Sequence, residues 1–312
     1  MMLSGKINCL KRWKALSLAN PIGKRCDGVM VSKVAIVEFD GDIQASFEQT
    51  LKLIGGIEDL DTAERSVVIK VGVFDARGDN YAKPNVVGAI VNSFKKTPQI
   101  YLAESDNYRG SGMERLQLWK ELFSRRVIPF NLSEDTETKK VKIADEEMSL
   151  SHILFKPNVL VSTHILRDYT RGSIIKNLFG LVPDRKKARY HKKLDAVLLD
   201  IYKAVGGIDL AVLDATYYYR GSQALLEKGQ DGSESKMKMN TLVIGRDAVA
   251  VEAVGAKLAG IRLEEMSIIQ NAVERGLGEG NFEKIEIVGR PFEEVYEKFQ
   301  SLVRKRKGKK KR

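Results

Sequence analysis

The chain has 312 residues, a formal net charge of +11, 43% hydrophobic residues and 30% charged residues. This composition is typical of a soluble protein that buries a large core, and no apolar run approaches the roughly 20 residues that a membrane helix needs. The two cysteines, Cys9 and Cys26, both precede Met30, so the rest of the chain can form no disulfide, thiolate zinc site or cysteine-ligated iron–sulfur cluster. That cysteine usage fits a reducing compartment and predicts a cytoplasmic protein.

Much of the positive charge lies at the two ends of the chain. Residues 304–312 contain eight Lys or Arg and one Gly, which predicts a disordered basic tail that binds polyanions weakly by counterion release. Residues 1–29 carry a second basic cluster without the apolar core of a secretory signal, and we interpret them as a disordered or non-native extension. The body, 30–303, is then a single α/β domain, with a division into lobes 30–150 and 151–303 left open.

Hydrophobic patterns along the body alternate between strand and helix. Buried strands are predicted at 34–37, 66–73, 99–103, 159–161, 209–214, 240–244 and 285–288, with shorter ones at 127–130 and 140–143. Helices are predicted at 42–54, 85–95, 116–123, 173–179, 191–205, 247–259, 263–276 and from 292 onward. This alternation predicts a mostly parallel, Rossmann-like α/β sheet with helices on both faces.

The segment 159–191 is the most informative for function. Its apolar run ends at Val161, and we expect His164 just beyond it, at the edge where open α/β sheets bind ligands. His164 and His191 are two of only three histidines and are candidates for acid–base groups or metal ligands, although His191 could equally cap a helix. Lys176 lies within an apolar helix face and is interpreted either as a desolvated amine of lowered pKa or as a side chain that reaches out to solvent.

The tripeptide Arg-Gly-Ser occurs three times, at 109–111, 171–173 and 220–222. Glycine lets the backbone approach a ligand, serine caps a helix whose free N–H groups attract anions, and arginine adds a bidentate donor. The three copies therefore predict anion binding. For each copy the alternative is an ordinary helix cap beside a solvated arginine.

Polar side chains also follow the other predicted strands. Because the carboxyl ends of parallel strands meet at one edge of a sheet, we predict a common cleft for a small carboxylate or phosphate. Its predicted anion-binding residues are Lys70, Arg77, Arg109, Ser111, Arg171, Ser173, Asn177 and Arg220. Its predicted catalytic residues are His164, Lys176 and His191, with Asp75, Glu104 and Asp214 beside them. His164 and His191 are also the predicted ligands of a divalent metal, if one is bound.

Five segments form a set that is specific enough to compare with known families. They are Val68-Ile69-Lys70-Val71, Ala103-Glu104-Ser105-Asp106, Ser162-Thr163-His164 with Lys176-Asn177-Leu178-Phe179-Gly180, Asp209-Leu210-Ala211-Val212-Leu213-Asp214 and Gly245-Arg246-Asp247-Ala248-Val249-Ala250-Val251. Together they resemble the family catalogued as domain of unknown function 362, over roughly residues 33–290. Some members of that family carry ferredoxin-type clusters, which this cysteine-free body departs from. Members often have Asp-Gly where this chain has Asp214-Ala215.

A second similarity lies in the order of five residues, namely His164, Lys176, Gly180, Pro183 and His191. This order is similar to that in the nickel-pincer lactate racemase family, where a lysine anchors the cofactor and histidines act as metal ligand and acid–base groups. The resemblance implies those roles for Lys176, His164 and His191. The Gly-Gly pair usual before that lysine is replaced here by Arg171-Gly172.

These observations lead to two functional hypotheses. The leading one is an enzyme or ligand-binding protein that acts on a small anionic molecule at a His/Lys/Arg cleft, with racemase- or isomerase-like chemistry that a metal could assist. The alternative is a nucleic-acid or ribonucleoprotein-associated protein that binds through its basic termini. The body has no basic stripe interleaved with aromatic residues, which argues against dedicated recognition of single strands.

Overall fold

The structure, a computed structural model, describes residues 25–26, 29–219 and 236–309, with side chains described over 31–219 and 236–304. The strands in those ranges are β1 (Arg25–Cys26), β2 (Val29–Met30), β3 (Ser32–Glu38), β4 (Val67–Val71), β5 (Ile100–Glu104), β6 (Val127–Asn131), β7 (Thr138–Ile143), β8 (Glu146–Ser151), β9 (Val159–Arg167), β10 (Leu210–Tyr219), β11 (Lys236–Gly245) and β12 (Ile285–Gly289). The α-helices are α1 (Ile43–Leu53), α2 (Pro84–Ser93), α3 (Gly112–Leu116), α4 (Leu194–Ala204), α5 (Ala248–Leu258), α6 (Ser267–Glu274) and α7 (Phe292–Lys309). Short 3₁₀ turns lie at Gln117–Leu122, His152–Leu154, Lys176–Leu181, Lys187–Lys193, Leu263–Glu265 and Phe282–Lys284.

Eight strands form one sheet in the order β12-β3-β11-β10-β9-β4-β5-β6. All neighbouring pairs are parallel except the two that involve β11, which runs antiparallel to β10 and to β3. Strands from residues 30–150 and from residues 151–303 lie side by side in this sheet, so both halves of the body share it. The predicted α/β fold with a mostly parallel sheet is confirmed.

Helices cover both faces of the sheet, which explains why its central strands are buried along almost their whole length. All five residues of β4 are buried, as expected for a strand that is packed on both sides. On one face the core is built with α4, α5, α6 and α7, and on the other with α1, α2 and the segment from α3 to Trp119. Between β4 and β5 the helix α2 begins at Pro84, whose missing N–H and fixed φ suit the first helical turn.

The chain changes direction across the sheet between β4 and β9. From β4 it proceeds to β5 and β6 on one side, and from β9 it proceeds to β10 on the other. Where the strand order reverses in this way, the loops at the carboxyl ends separate and leave a crevice, the usual ligand site of open α/β sheets. Lys70 on β4 and His164 on β9 lie at this switch point.

Three sequence-based expectations are corrected near the switch point. The strand predicted to end at Val161 continues to Arg167, so His164 lies within β9 and not beyond its end. The predicted helix 173–179 is a 3₁₀ turn at Lys176–Leu181 whose N-terminal flanking residue is Ile175, so Ser173 does not cap it. His191 belongs to a second 3₁₀ turn that precedes α4.

The basic C-terminal segment begins as part of the last helix. Helix α7 extends to Lys309, so the described backbone from Arg304 to that residue, within the segment predicted to be a disordered tail, is helical. Lys and Arg are good helix formers. Residues 1–24 and 220–235, which include much of the predicted N-terminal extension and the third Arg-Gly-Ser copy, lie outside the described residues.

Candidate functional site at the switch point

Lys70 lies at the floor of the switch point and is only 1% exposed. Its ammonium donates hydrogen bonds to Glu104 Oε2 at 2.9 Å, Asn177 Oδ1 at 3.0 Å and the Val71 carbonyl oxygen at 2.8 Å. Burial lowers the pKa of Lys70, and the charge of Glu104 opposes that shift. Since all three ammonium protons have acceptors, Lys70 is an internally paired cation with no donor left for a ligand.

Asn177 fastens the 3₁₀ turn to the two strands of the switch point. Its Nδ2 donates to the Lys70 carbonyl at 2.8 Å, to Ser162 Oγ at 3.1 Å and to the Thr163 carbonyl at 3.1 Å. Its Oδ1 accepts from Lys70, so the amide is used fully within the protein. Asn177 was predicted to bind an anion; the structure instead places it as the link that fixes the position of its neighbour Lys176.

Two glycines allow the close approach of these groups. A Cβ on Gly72 would lie 2.5 Å from the His164 ring, and a Cβ on Gly180 would lie 2.5 Å from Lys70 Nζ. Real Cβ atoms do not approach other atoms this closely, so each position favours glycine. The packing at the switch point is therefore tight on both strands.

His164 is 8% exposed, on the strand next to β4. Its Nδ1 accepts a hydrogen bond of 2.7 Å from the Ile165 N–H, so the neutral ring carries its proton on Nε2. Burial lowers the pKa of His164 well below its usual value, and the charges of Arg167, Lys70 and Lys176 lower it further. His164 is therefore a neutral imidazole with an Nε2–H donor at neutral pH.

A cation–π contact and a tilted ring pair lie beside the switch point and join Lys176, Phe179 and His191. Lys176 Nζ lies 4.7 Å from the centroid of the Phe179 ring, and that ring lies 5.5 Å from the His191 ring at an interplanar angle of 34°. Burial lowers the pKa of Lys176 to about 7, and Arg167 and Arg171 contribute to the shift. Partial burial and the charges of Lys176 and Arg171 lower the pKa of His191.

Lys187 is a further cation of this group, and sequence reasoning missed it. Its side chain is 9% exposed, and its Nζ donates a 2.5 Å hydrogen bond to Ser105 Oγ. Burial lowers its pKa to about 7. Ser105 in turn donates to the Gly180 carbonyl at 2.6 Å, which connects Lys187 to the turn that carries Lys176.

These cations lack carboxylate partners in the part of the chain that the structure describes. Within residues 31–219 and 236–304, no carboxylate oxygen lies within 4.0 Å of the charged nitrogens of Lys176, Lys187, Arg167 or Arg171. By contrast, Glu104 forms close pairs with Lys70 at 2.9 Å and with Arg115 at 3.5 Å. At the switch point Lys70 is therefore paired with Glu104, whereas four other cations have no carboxylate partner among the described residues. We define these four, Lys176, Lys187, Arg167 and Arg171, as the cationic rim.

The second Arg-Gly-Ser copy is occupied by a carboxylate of the chain itself. Glu252 on α5 is buried and accepts from the Ser173 N–H at 2.7 Å and the Ile175 N–H at 2.9 Å. Gly172 has a φ of +83°, and a Cβ there would lie 2.8 Å from Glu252 Oε2. Burial raises the pKa of Glu252, and its backbone hydrogen bonds and the charge of Arg167 oppose the rise. In this structure the backbone N–H groups of the loop bind the carboxylate of Glu252.

In the first Arg-Gly-Ser copy, Ser111 and Arg109 likewise contact nearby residues of the chain. Ser111 Oγ accepts from the Glu114 N–H at 3.1 Å, and Glu114 Oε2 accepts from the Ser111 N–H at 2.9 Å, which is a capping box at the start of α3. Arg109 lies 3.8 Å from Asp75, which also binds Arg77 through two nitrogens. The carboxylate of Asp75 therefore lies close to both Arg77 and Arg109, two of the predicted anion-binding residues.

Asp214 lies in the middle of β10 and is fully buried. It accepts from the Lys83 N–H and from the Thr216 N–H, each at 2.8 Å. Burial raises its pKa. The contacts are those of a carboxylate that holds the loop before α2, and Arg220, the last predicted anion-binding residue, lies outside the described residues.

His164 and His191 are the two predicted metal ligands. In the described ranges no group of three His, Cys, Asp or Glu side chains is placed to hold a metal ion. One nitrogen of His164 already accepts a hydrogen bond from the backbone. The described donor set therefore does not fit a metal centre made from protein ligands.

Fold and rim together define a doubly wound α/β protein with a cluster of basic side chains at its switch point. The chain belongs to the family described as a domain of unknown function (DUF362), whose sequence profile matches residues 67–257. The matched region runs from β4 to α5 and contains every residue of the rim. No curated protein matches the sequence. Of the helices described, none has the length and apolar character needed to cross a membrane.

Proposed function

We propose that this protein binds a small carboxylate or phosphate at the cationic rim and catalyses proton transfer on it. The observation that carries the proposal is the set of four cations at the switch point without a carboxylate partner among the described residues. Like charges held close together in a partly desolvated place raise each other's free energy. An anionic ligand relieves that repulsion.

The proposed acid–base groups are Lys176 and His191, with His164 as a hydrogen-bond donor. A pKa of about 7 lets Lys176 take up a proton at neutral pH when an anion binds beside it. The neutral ring of His191, whose pKa is lowered, would accept a proton from the carbon next to the ligand carboxylate, and the electron pair would delocalise into that carboxylate, whose charge protonated Lys176 stabilises. Protonated His191 would return a proton to carbon, so the reaction is of the racemase or isomerase type.

A binding experiment tests the first half of the proposal. Isothermal titration of the full chain with acetate, 2-hydroxy carboxylates and inorganic phosphate should reveal an anion whose affinity falls at least about tenfold in Lys176→Gln. The matched control is Lys192→Gln, since Lys192 is an exposed lysine near His191. If the control weakens binding as much as Lys176→Gln does, the effect is one of general charge and the proposed site is wrong.

Proton exchange tests the catalytic half. In D₂O, NMR should show deuterium replacing the hydrogen next to the carboxylate of a bound 2-hydroxy acid, and Lys176→Gln should slow that exchange by about 10²-fold or more. Binding that depends on Lys176 without any exchange in the wild-type protein would reject the enzymatic reading and leave a ligand-binding protein.

A further inference from the structure

The ammonium group of Lys187 has hydrogen-bond donors that its contacts with the described residues do not use. An ammonium group has three donors, and among the described residues its only hydrogen-bond acceptor is Ser105 Oγ. The Ser105 hydroxyl donates its own proton to the Gly180 carbonyl, so it accepts from Lys187 and stays neutral. Two N–H donors of a side chain that is 9% exposed therefore point to no acceptor in the described part of the protein.

Lys187 and Lys176 are anchored to the same 3₁₀ turn. Lys176 Nζ lies over the ring of Phe179. The Ser105 hydroxyl, which accepts from Lys187, donates a hydrogen bond to the carbonyl oxygen of the next residue, Gly180. The charge of Lys187 is among those that lower the pKa of Lys176, so the two side chains lie within electrostatic reach of each other.

Lys70 is a buried lysine of the same region whose ammonium group bonds only to other groups of the protein. Lys70 is 1% exposed and has three acceptors, one of which is the carboxylate of Glu104. Glu104 also contributes to the electrostatic environment of Lys187, yet it lies beyond ion-pair distance there and is already shared by Lys70 and Arg115. Within the described residues, Lys70 is therefore paired with a carboxylate, whereas Lys176 and Lys187 are not.

We propose that Lys176 and Lys187 bind two separate anionic groups of one ligand, so that the substrate class is a dicarboxylate or a phosphorylated carboxylate. This inference rests on the proposed function, because it places the first anionic group at Lys176. A ligand with one anionic group would leave one ammonium unpaired in a partly desolvated site, whereas a ligand with two neutralises both. Lys187 is then a specificity-determining residue that selects for the second group.

The experiment is a calorimetric titration of the full chain near pH 7 with acetate, malonate, succinate, glutarate, phosphoglycolate and inorganic phosphate. We expect at least one ligand with two anionic groups to bind about tenfold or more tightly than acetate and phosphate. The most tightly bound dicarboxylate chain length then reports the spacing of the two ammonium groups. Lys187→Gln should reduce the affinity of that ligand about tenfold, and by a larger factor than it reduces the acetate affinity. Lys176→Gln should weaken both.

Proton uptake provides a readout that a purely structural role would not change. At about pH 8, lysines with a pKa of about 7 are mostly uncharged, so ligand binding must recruit protons. Titration in buffers of different ionisation enthalpy should show more protons taken up with the two-group ligand than with acetate. The difference should vanish in Lys187→Gln and in a second variant, Lys187→Met, and persist in the control Lys192→Gln.

The outcomes separate this inference from the proposed function. If binding depends on Lys176 but Lys187→Gln leaves the two-group ligand unaffected, the proposed function stands and the inference is overturned. Equal affinities for acetate, phosphate and every two-group ligand overturn it as well. If no probe depends on Lys176, both proposals fall.

Discussion

Replacing Lys176 with methionine should stabilise the protein at low pH, although the substitution removes a residue of the proposed site. The pKa of Lys176 falls from 10.5 to about 7 on folding, a difference of 10.5 − 7 = 3.5. At ~1.36 kcal/mol per unit, this gives an upper limit of about 5 kcal/mol for the destabilisation by the protonated side chain. Because Lys176 keeps some solvent contact, we expect a gain of about 1–3 kcal/mol in Lys176→Met.

The sign of this effect depends on pH in a defined way. Between about pH 7 and 10.5 the unfolded chain holds a proton on Lys176 that the folded protein lacks, so raising the pH stabilises the wild-type protein. Below pH 7 the destabilisation is fully present, and above 10.5 it is absent because both states are uncharged. The advantage of Lys176→Met should therefore be largest near pH 6 and disappear as pH rises through that window.

Urea unfolding at about pH 6, 8 and 10 in buffers without carboxylate or phosphate measures the difference. Lys192→Met, at an exposed lysine, is the matched control and should change the stability by less than about 0.5 kcal/mol. A variant that is less stable than wild type near pH 6, or a difference that stays constant with pH, would refute the argument that Lys176 is a desolvated cation. Adding an anion that binds the rim should reduce or reverse the advantage of Lys176→Met.

Three other changes have expected outcomes that follow from single contacts. Glu252→Gln should reduce the free energy of unfolding by about 1–3 kcal/mol, since an amide can accept from only one of the two buried N–H groups with its oxygen; an unchanged urea midpoint would contradict this. Gly180→Ala should lower it by about 1–3 kcal/mol by steric overlap with Lys70, whereas Gly88→Ala in α2, where the nearest atom would lie 3.4 Å away, should be neutral or stabilising. Deleting residues 304–312 should weaken heparin binding and flatten the dependence of its affinity on salt concentration. If the deletion leaves that dependence unchanged, nucleic-acid binding becomes the favoured function over the enzymatic one.

The sheet was predictable because its signal is local. Apolar runs bounded by helical patterns predict buried parallel strands, and β3, β4, β5 and β12 lie where those runs are. The antiparallel direction of β11 was not predictable in the same way. Its connection from β10 passes through residues 220–235, whose polar composition gives no indication of strand direction.

The extent of β9 could not be predicted because polar residues continue the strand. Ser162 donates to the Ile174 carbonyl at 3.0 Å and accepts from Asn177, so its hydroxyl is satisfied inside the sheet. These partners are 12 and 15 residues away in sequence. A hydrophobicity pattern treats such residues as the end of a strand, since it contains no information on which distant group will bond them.

The roles of the site residues required spatial neighbours for the same reason. Lys70 was expected at the ligand edge, and the sequence indicated neither that Glu104 would lie on the adjacent strand nor that Asn177 would complete its contacts. Glu252 had a detectable signal, as the one acidic residue of the otherwise largely apolar helix α5. An isolated acid on a buried helix face requires a donor, and the Ser173 N–H is 79 residues away.

The distribution of acids argues that the rim is not merely a structural feature. Where the protein needs a buried cation for packing, it supplies a carboxylate, as Glu104 does for Lys70. Lys176 and Lys187 have no carboxylate partner among the described residues, so about half of each amine is uncharged at pH 7, and the Lys176→Met variant would measure what this costs in stability. Residues that lower stability are found mainly where function requires them, and these two lie at the point where the strand order reverses. Because a carboxylate is the partner that the described residues do not supply, the observation that predicts the stability effect also supports an anion as the proposed ligand.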